Sequence, residues 1–113
     1  MKTLNYNSWG LDHAIQFRFS KYVENDNLYV GMVSLDGEYG PEPYTDVTVN
    51  LSEPCKANCA FIDTNNNPGI INWLIENNLG TLTGRIGFSG FCVYHEFEFD
   101  MEKMREYEFK YEE

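Results

Sequence analysis

Four side chains offer metal-ligand chemistry at short spacing, Cys55-x3-Cys59 and Cys92-x2-His95. Three thiols and an imidazole are a set that a structural zinc accepts. Two features weigh against that site. On a regular strand Cys92 and His95 point to opposite faces, and a zinc knuckle places two residues between its cysteines where this chain has three. Cys92 reads better as a small buried hydrophobe. A nucleophilic cysteine needs a base and electropositive surroundings. Here His13 and His95 are the only histidines, and 18 Asp and Glu outnumber 8 Lys and Arg, an environment that raises thiol pKa.

Other motifs resolve in the same direction. Asp63-x-Asn65-x-Asn67 opens like a calcium loop, but the sixth position, which needs Gly, is Pro68, and the twelfth, which needs Glu, is Leu74. A helix start explains these residues better. Gly87-Phe88-Ser89-Gly90-Phe91 lacks the second glycine of a nucleophile elbow. Gly80, Gly84, Gly87 and Gly90 with Arg85 lack the Lys and Ser or Thr of a phosphate loop and lead into a strand, so they are read as turns. Glu96 and Glu98 are two apart on one strand face, within general acid and base range of each other, yet no polar partner set picks that pair out among so many acids. No catalytic group and no cofactor or metal site emerges, and the expected activity is binding rather than catalysis.

The elements that must position these residues follow from periodicity. Residues 13 to 20 alternate, Ile15, Phe17 and Phe19 against Gln16, Arg18 and Ser20, which predicts a strand buried on one face. Glu24-Asn25-Asp26-Asn27 turns it into a second strand, Leu28 to Leu35. A Gly- and Pro-rich loop over 36–43 precedes a third strand, Tyr44 to Leu51, and Cys59 to Ile62 is a short fourth. Asn66 or Asn67 as cap and Pro68 in the first turn predict a helix carrying Ile70, Ile71, Leu74 and Ile75, stopped at Gly80. Short extended pieces and turns fill 81–90. Phe91, Val93, His95, Phe97 and Phe99 then share one strand face, and Cys92, Tyr94, Glu96, Glu98 and Asp100 the other. Asp100 caps a terminal helix with Met101, Met104, Tyr107 or Glu108, and Tyr111 on one side. The whole is an α+β fold, an antiparallel meander of four to five strands in two layers with a central and a C-terminal helix, and residues 1–113 read as one domain.

Length and composition agree with a packed domain. The 113 residues are 42% hydrophobic with eight Tyr, eight Phe and two Trp, too apolar for a disordered acidic tail. The amino terminus lacks the apolar run of a signal peptide and no stretch reaches membrane-spanning length, so a cytoplasmic protein with reduced thiols is expected.

Charge is the remaining signal. The formal net charge of −10 opposes direct contact with nucleic acid or an anionic membrane and favours a basic partner. Between Lys21 and Lys56 seven acids (Glu24, Asp26, Asp36, Glu38, Glu42, Asp46, Glu53) meet no base, and from Glu96 onward eight acids meet three. Carboxylates at alternate strand positions sit about 7 Å apart, near the phosphate spacing of a nucleic-acid strand. The plainer reading is a solvated acidic face that keeps the protein soluble.

Several segments carry a family resemblance: Gly40-Pro41-Glu42-Pro43-Tyr44-Thr45-Asp46 with the strand after it, Ala60 to Asn66, Leu79 to Arg85, Ser89 to Tyr94, and Phe97-Glu98-Phe99-Asp100. Over about residues 28–105 the chain resembles a small domain-of-unknown-function family from conjugative and other mobile elements of Firmicutes. The resemblance implies Pro at position 95 in relatives where this chain has His95, and so a break in the strand there. It also implies mobile-element cargo, in which setting small acidic proteins include type II anti-CRISPR proteins. The expected partner is then a basic nucleic-acid-binding protein, a type II CRISPR effector, whose positively charged channel a compact polyanion can occupy. The expected contacts are Asp36, Glu38, Glu42 and Asp46 in one group and Glu96, Glu98 and Asp100 in the other. An antirestriction or element-maintenance protein that binds another DNA-processing enzyme is the alternative, and a carboxylate-metal nuclease is a third.

Overall fold

The computed structural model describes residues 2–110. In chain order the elements are β1 (Leu4–Ser8), β2 (Leu11–Lys21), β3 (Leu28–Ser34), β4 (Glu42–Asp46), β5 (Thr48–Val49), β6 (Cys59–Ile62), α1 (Ile70–Glu76), β7 (Gly80–Ser89), β8 (Cys92–Phe99) and α2 (Met101–Arg105). The strands form two antiparallel sheets, β1-β2-β3-β4 and β5-β6-β8-β7. The α+β class expected from the sequence is the one observed. Among the described residues the strands number eight in two sheets, where periodicity predicts four to five in one meander.

Strand β1 has no counterpart in the sequence reading, because only Tyr6 within it is buried. Trp9 and Gly10 join it to β2 with φ of 54° and 78°, the two left-handed positions that a tight two-residue hairpin needs. The β2–β3 hairpin turns through Tyr22 to Asn27 as expected, closed by the Tyr22 amide donating to the Asn27 carbonyl at 2.9 Å.

The expected third strand is two strands in two sheets. Between them Val47 is fully buried; its amide donates to the Val30 carbonyl in the first sheet, and its carbonyl accepts the Asp63 amide beside the second, both at 2.9 Å. Alternation breaks here, since Val47 and Thr48 are both buried as the chain changes sheet. The Thr48 hydroxyl oxygen accepts the Val30 amide at 3.1 Å and so closes the seam.

Helix α1 departs from its expected start. Gly69, at φ 82°, is the N-cap and no side chain caps the helix. Asn67 is instead turned inward. It accepts the Thr45 hydroxyl at 2.9 Å and donates to the carbonyls of Asp46 at 2.8 Å and Asp63 at 3.1 Å. Asn66 donates to the Asp63 carboxylate at 2.8 Å. At the other end Asn78, φ 59°, takes the left-handed position expected of Gly80. Gly80 opens β7, where a Cβ would meet the Glu98 carbonyl oxygen.

The segment expected as short pieces and turns is the ten-residue strand β7, interrupted by a register shift between Leu82 and Ile86. The break expected at His95 is therefore in the neighbouring strand, while β8 runs on with His95 opposite Ile86. The expected apolar face of β8 is buried only at Phe97 and Phe99; Phe91, Val93 and His95 are exposed, and Tyr94 and Glu96 on the other face are buried. The cause is that the second sheet is covered on opposite faces at its two ends. Phe97 and Phe99 join the main core with Ile62, Leu74, Leu79 and Met104. Tyr94 joins a second cluster with Leu51 and Phe61.

Asp100 caps α2 as expected, accepting the Lys103 amide at 3.1 Å. The helix ends at Arg105, short of the expected face through Tyr107; Tyr111 lies outside the described residues. The chain instead runs beside β2, where the Phe17 amide donates to Tyr107 at 2.9 Å and the Phe109 amide to Phe17 at 2.7 Å. It takes the flank of β2 beyond Ile15, where pairing with β1 stops.

Asn67 thus ties β4 of one sheet to the segment after β6 of the other. Asn67→Ala strands buried polar groups on both sides and lowers unfolding free energy by about 2 kcal/mol in urea denaturation, whereas Asn66→Ala costs under about 1 kcal/mol. Equal losses from the two variants would mean that Asn67 does no more than a local turn residue.

Candidate functional site

Glu96 leaves the expected set of contact residues. It is 5% exposed, where the sequence reading places it beside Glu98 and Asp100 on a surface strand face. Arg85 reaches it across the hairpin at 2.7 Å, and the Thr83 hydroxyl donates to it at 2.8 Å. The same guanidinium binds Glu53 at 2.9 Å and the Pro54 carbonyl at 3.2 Å, and lies 5.4 Å over the Phe61 ring. The loop that presents Glu53 is held from below by buried Asn27, which donates to the Glu53 carbonyl at 2.9 Å and accepts the Cys55 amide at 2.9 Å. Burial would raise the Glu96 pKa, but hydrogen bonds from Thr83, Cys55 and Arg85 outweigh it and hold the carboxyl below its ordinary value.

The other six candidate acids are exposed, in two groups. Asp36, Glu38 and Glu42 belong to the β3–β4 loop and the start of edge strand β4, and Asp46 ends that strand. Two of these are partly engaged: Asp36 accepts the Ala14 amide at 2.8 Å and Asp46 accepts the Tyr29 hydroxyl at 2.6 Å. Glu38 and Glu42 have no ion pair or hydrogen bond among the described residues. Tyr39 between them is 96% exposed. On the second sheet Glu98 and Asp100 line one cleft of about 470 Å³ with Asn78 and Thr81, and Asp100 is committed to its helix cap.

The cysteines are free thiols on the packed side of the second sheet. Cys55 and Cys92 border the Leu51, Phe61, Tyr94 cluster, and Cys59 is buried. His95 is exposed on the opposite face of β8 from Cys92. Among the described residues no three His, Cys, Asp or Glu side chains are placed to hold a metal ion. Burial, reinforced by the Glu96 carboxylate, pushes the Cys55 thiol up to about 11. The sequence reading missed Arg85 as the organiser of this region. The available signal was its isolation, the one base between Lys56 and Lys103.

Two measurements check this arrangement. Because the folded pKa of Glu96 is depressed, its stabilisation is present above the unfolded value and is lost as pH falls through the folded one. Glu96→Gln is therefore less stable than wild type by about 1–2 kcal/mol at pH 7, and the gap closes well below 4.5, the ordinary Glu value; a gap that persists there would show that the charge is not responsible. In mass-spectrometric mapping at neutral pH, Cys55 is alkylated roughly 100-fold more slowly than an unperturbed thiol. Reaction at the ordinary rate would mean an open, ionised Cys55.

Comparison with known proteins adds one finding. No curated protein and no solved structure matches the chain. A family model described as a domain of unknown function matches residues 16–112, from the middle of β2 through α2 and beyond. That match spans most of the sequence, and the chain belongs to the DUF4313 family.

Proposed function

We propose that this protein is a non-catalytic inhibitor that docks its acidic sheet edge into a basic, nucleic-acid-binding protein, in the narrowest form a type II CRISPR nuclease. The observation that carries the reading is the β3–β4 loop. Glu38 and Glu42 stand exposed and unpaired among the described residues, on either side of fully exposed Tyr39, at the edge of a sheet in a chain of net charge −10. A channel built to hold an RNA–DNA heteroduplex reads backbone charge and shape, so carboxylates on a rigid edge compete for the same cations. A flanking tyrosine supplies the kind of anchor that concentrates binding energy. Asp36 and Asp46 extend this edge, with Glu98 and Asp100 as a second contact; Glu96 is not part of it, because its charge is met by Arg85. An origin on mobile elements of Firmicutes, which the sequence resemblance implies, suits such an inhibitor.

The test is DNA cleavage by a purified type II CRISPR nuclease, with the protein added before or after guide RNA at two salt concentrations. The expected result is stoichiometric inhibition on early addition, weakened by salt and insensitive to chelator. A Glu38→Lys, Glu42→Lys double variant loses at least about tenfold in potency with unchanged circular dichroism. Inhibition of a restriction or transfer enzyme, with none of the CRISPR nuclease, would replace the target while keeping the mode of binding. Guide RNA shortened by substoichiometric protein, and protected by chelator, would overturn the non-catalytic reading.

A further inference from the structure

The outer half of the β7–β8 hairpin is apolar on both sides. Its inner side, with Gly87 and Tyr94, is packed: a Cβ at Gly87 would touch Leu51 and the Phe61 ring. Its outer side carries Ile86 opposite His95 and Phe88 opposite Val93, with Phe91 in the turn. These side chains face solvent. Phe91 is fully exposed, Phe88 is 64% exposed, and Ile86 and Val93 are nearly half exposed. Strand β7 is also a sheet edge, broken by the register shift between Leu82 and Ile86 but without a Lys or Pro.

Charge singles out the occupant of this face. Between Glu76 and Glu96 the only charged residue is Arg85, and that charge is turned to the inner side and neutralised by Glu53 and Glu96. Over the whole chain acids outnumber bases by 18 to 8, and two copies repel on balance. This strip is where two chains of −10 approach at least cost, and it offers no cation to an anionic lipid or nucleic acid. We infer that the protein forms a two-fold symmetric dimer by packing the outer faces of two β7–β8 hairpins against each other. An isologous contact of this kind places Phe88 and Phe91 of each copy on the same patch of the other, with the sheets about 10 Å apart. At about 150–250 Å² per aromatic side chain, complete cover of this face removes at most roughly 500 Å² per copy, about 1,000 Å² in all, the size of a weak, reversible pair.

The dimer is independent of the acidic edge, and its salt dependence has the opposite sign. Screening relieves repulsion between the two anionic copies and tightens the pair. Sedimentation velocity on the full chain, over a concentration series up to about 200 µM at low and high salt, shows twice the monomer mass and a tighter complex at high salt. A Phe88→Glu, Phe91→Glu double variant is monomeric, its dissociation constant raised at least about tenfold. Val23→Glu, at an exposed site in the β2–β3 turn, leaves the dimer intact, as does the Glu38→Lys, Glu42→Lys variant. Should the double variant lose its circular dichroism, Phe91→Ser at the exposed turn gives the same loss of dimer. A wild-type monomer across the whole series would overturn the inference, and so would a dimer that survives the hairpin variants. Flotation of a monomeric wild type with phosphatidylcholine vesicles would assign the face to lipid and overturn it equally.

Discussion

The two sheets depend on one residue. The Val47 amide donates to the Val30 carbonyl in the first sheet, its carbonyl accepts the Asp63 amide beside the second, and its side chain is buried. Burying a valine stabilises by about 1.5–3 kcal/mol, but the larger effect is geometric. With both hydrogen bonds fixed, β4 and β5 must leave Val47 into different sheets. The Thr48 hydroxyl oxygen accepts from Val30, and the Asn67 amide group reaches across to the Asp46 carbonyl. The Thr48 contact is buried, so breaking it would cost the full desolvation of a polar group, and the Asn67 contact is partly so. They convert what would be one strand into a hinge-free corner, and the main core of Phe17, Met32, Ile62 and Phe97 fills the angle between the sheets.

The corner has a consequence at the far end of the second sheet. That sheet is covered by the main core at Phe97 and Phe99 and by the loop after β5 at Tyr94. A carboxylate at position 96 is thereby caught under the loop. Glu96 is tolerated there because Arg85 arrives from the paired strand, at the register shift after Leu82, with Thr83 completing its hydrogen bonds. A buried charge of this kind is costly alone and neutral when paired. The pair also draws Glu53 and the Pro54 carbonyl inward, so the structure spends its one mid-chain arginine on closing the loop.

Local periodicity carried much of this fold. The strand through Ile15, Phe17 and Phe19, the β2–β3 turn, and the Asp100 cap are read directly from residue type and spacing, although Gln16, expected on the open face of that strand, is buried as well. Three kinds of feature were not legible. A strand with one buried residue, such as β1, leaves no alternation to detect. Asn67 has the chemistry of a helix cap and is used instead to join two sheets, a choice set by contacts more than twenty residues away in sequence. The two-sided burial of β8 follows from which loop lies over each end, so Glu96 and Glu98, equivalent by period, have opposite fates. For the site, the acidic loop over 36–43 was legible as charge and exposure, because loops with Gly and Pro run over the surface. The role of Arg85 was not, because a single base among glycines gives no period at all.

Placement of charge then divides the molecule. Carboxylates cluster on the edge of the first sheet and along the chain from Glu96 onward, while the outer hairpin of the second sheet is almost without charge. The division is enforced from inside. Were Arg85 to face outward, the hairpin would present a cation to every acidic neighbour, and Glu96 would be left buried without a counterion. Turning it inward satisfies Glu96 and Glu53 together and leaves Ile86, Phe88 and Val93 sharing their face of the hairpin with the His95 imidazole and no carboxylate, ammonium or guanidinium, with Phe91 in the turn beyond them. One ion pair therefore keeps the hairpin's outer face free of its only cation. On the proposed reading the acidic edge would act at a distance and weaken with salt, and the apolar hairpin would act on contact and strengthen with it. Two such surfaces on separate sheets can be occupied at once, so a pair of copies joined through their hairpins would present two acidic edges to a basic partner and gain from the second whenever their spacing matches it.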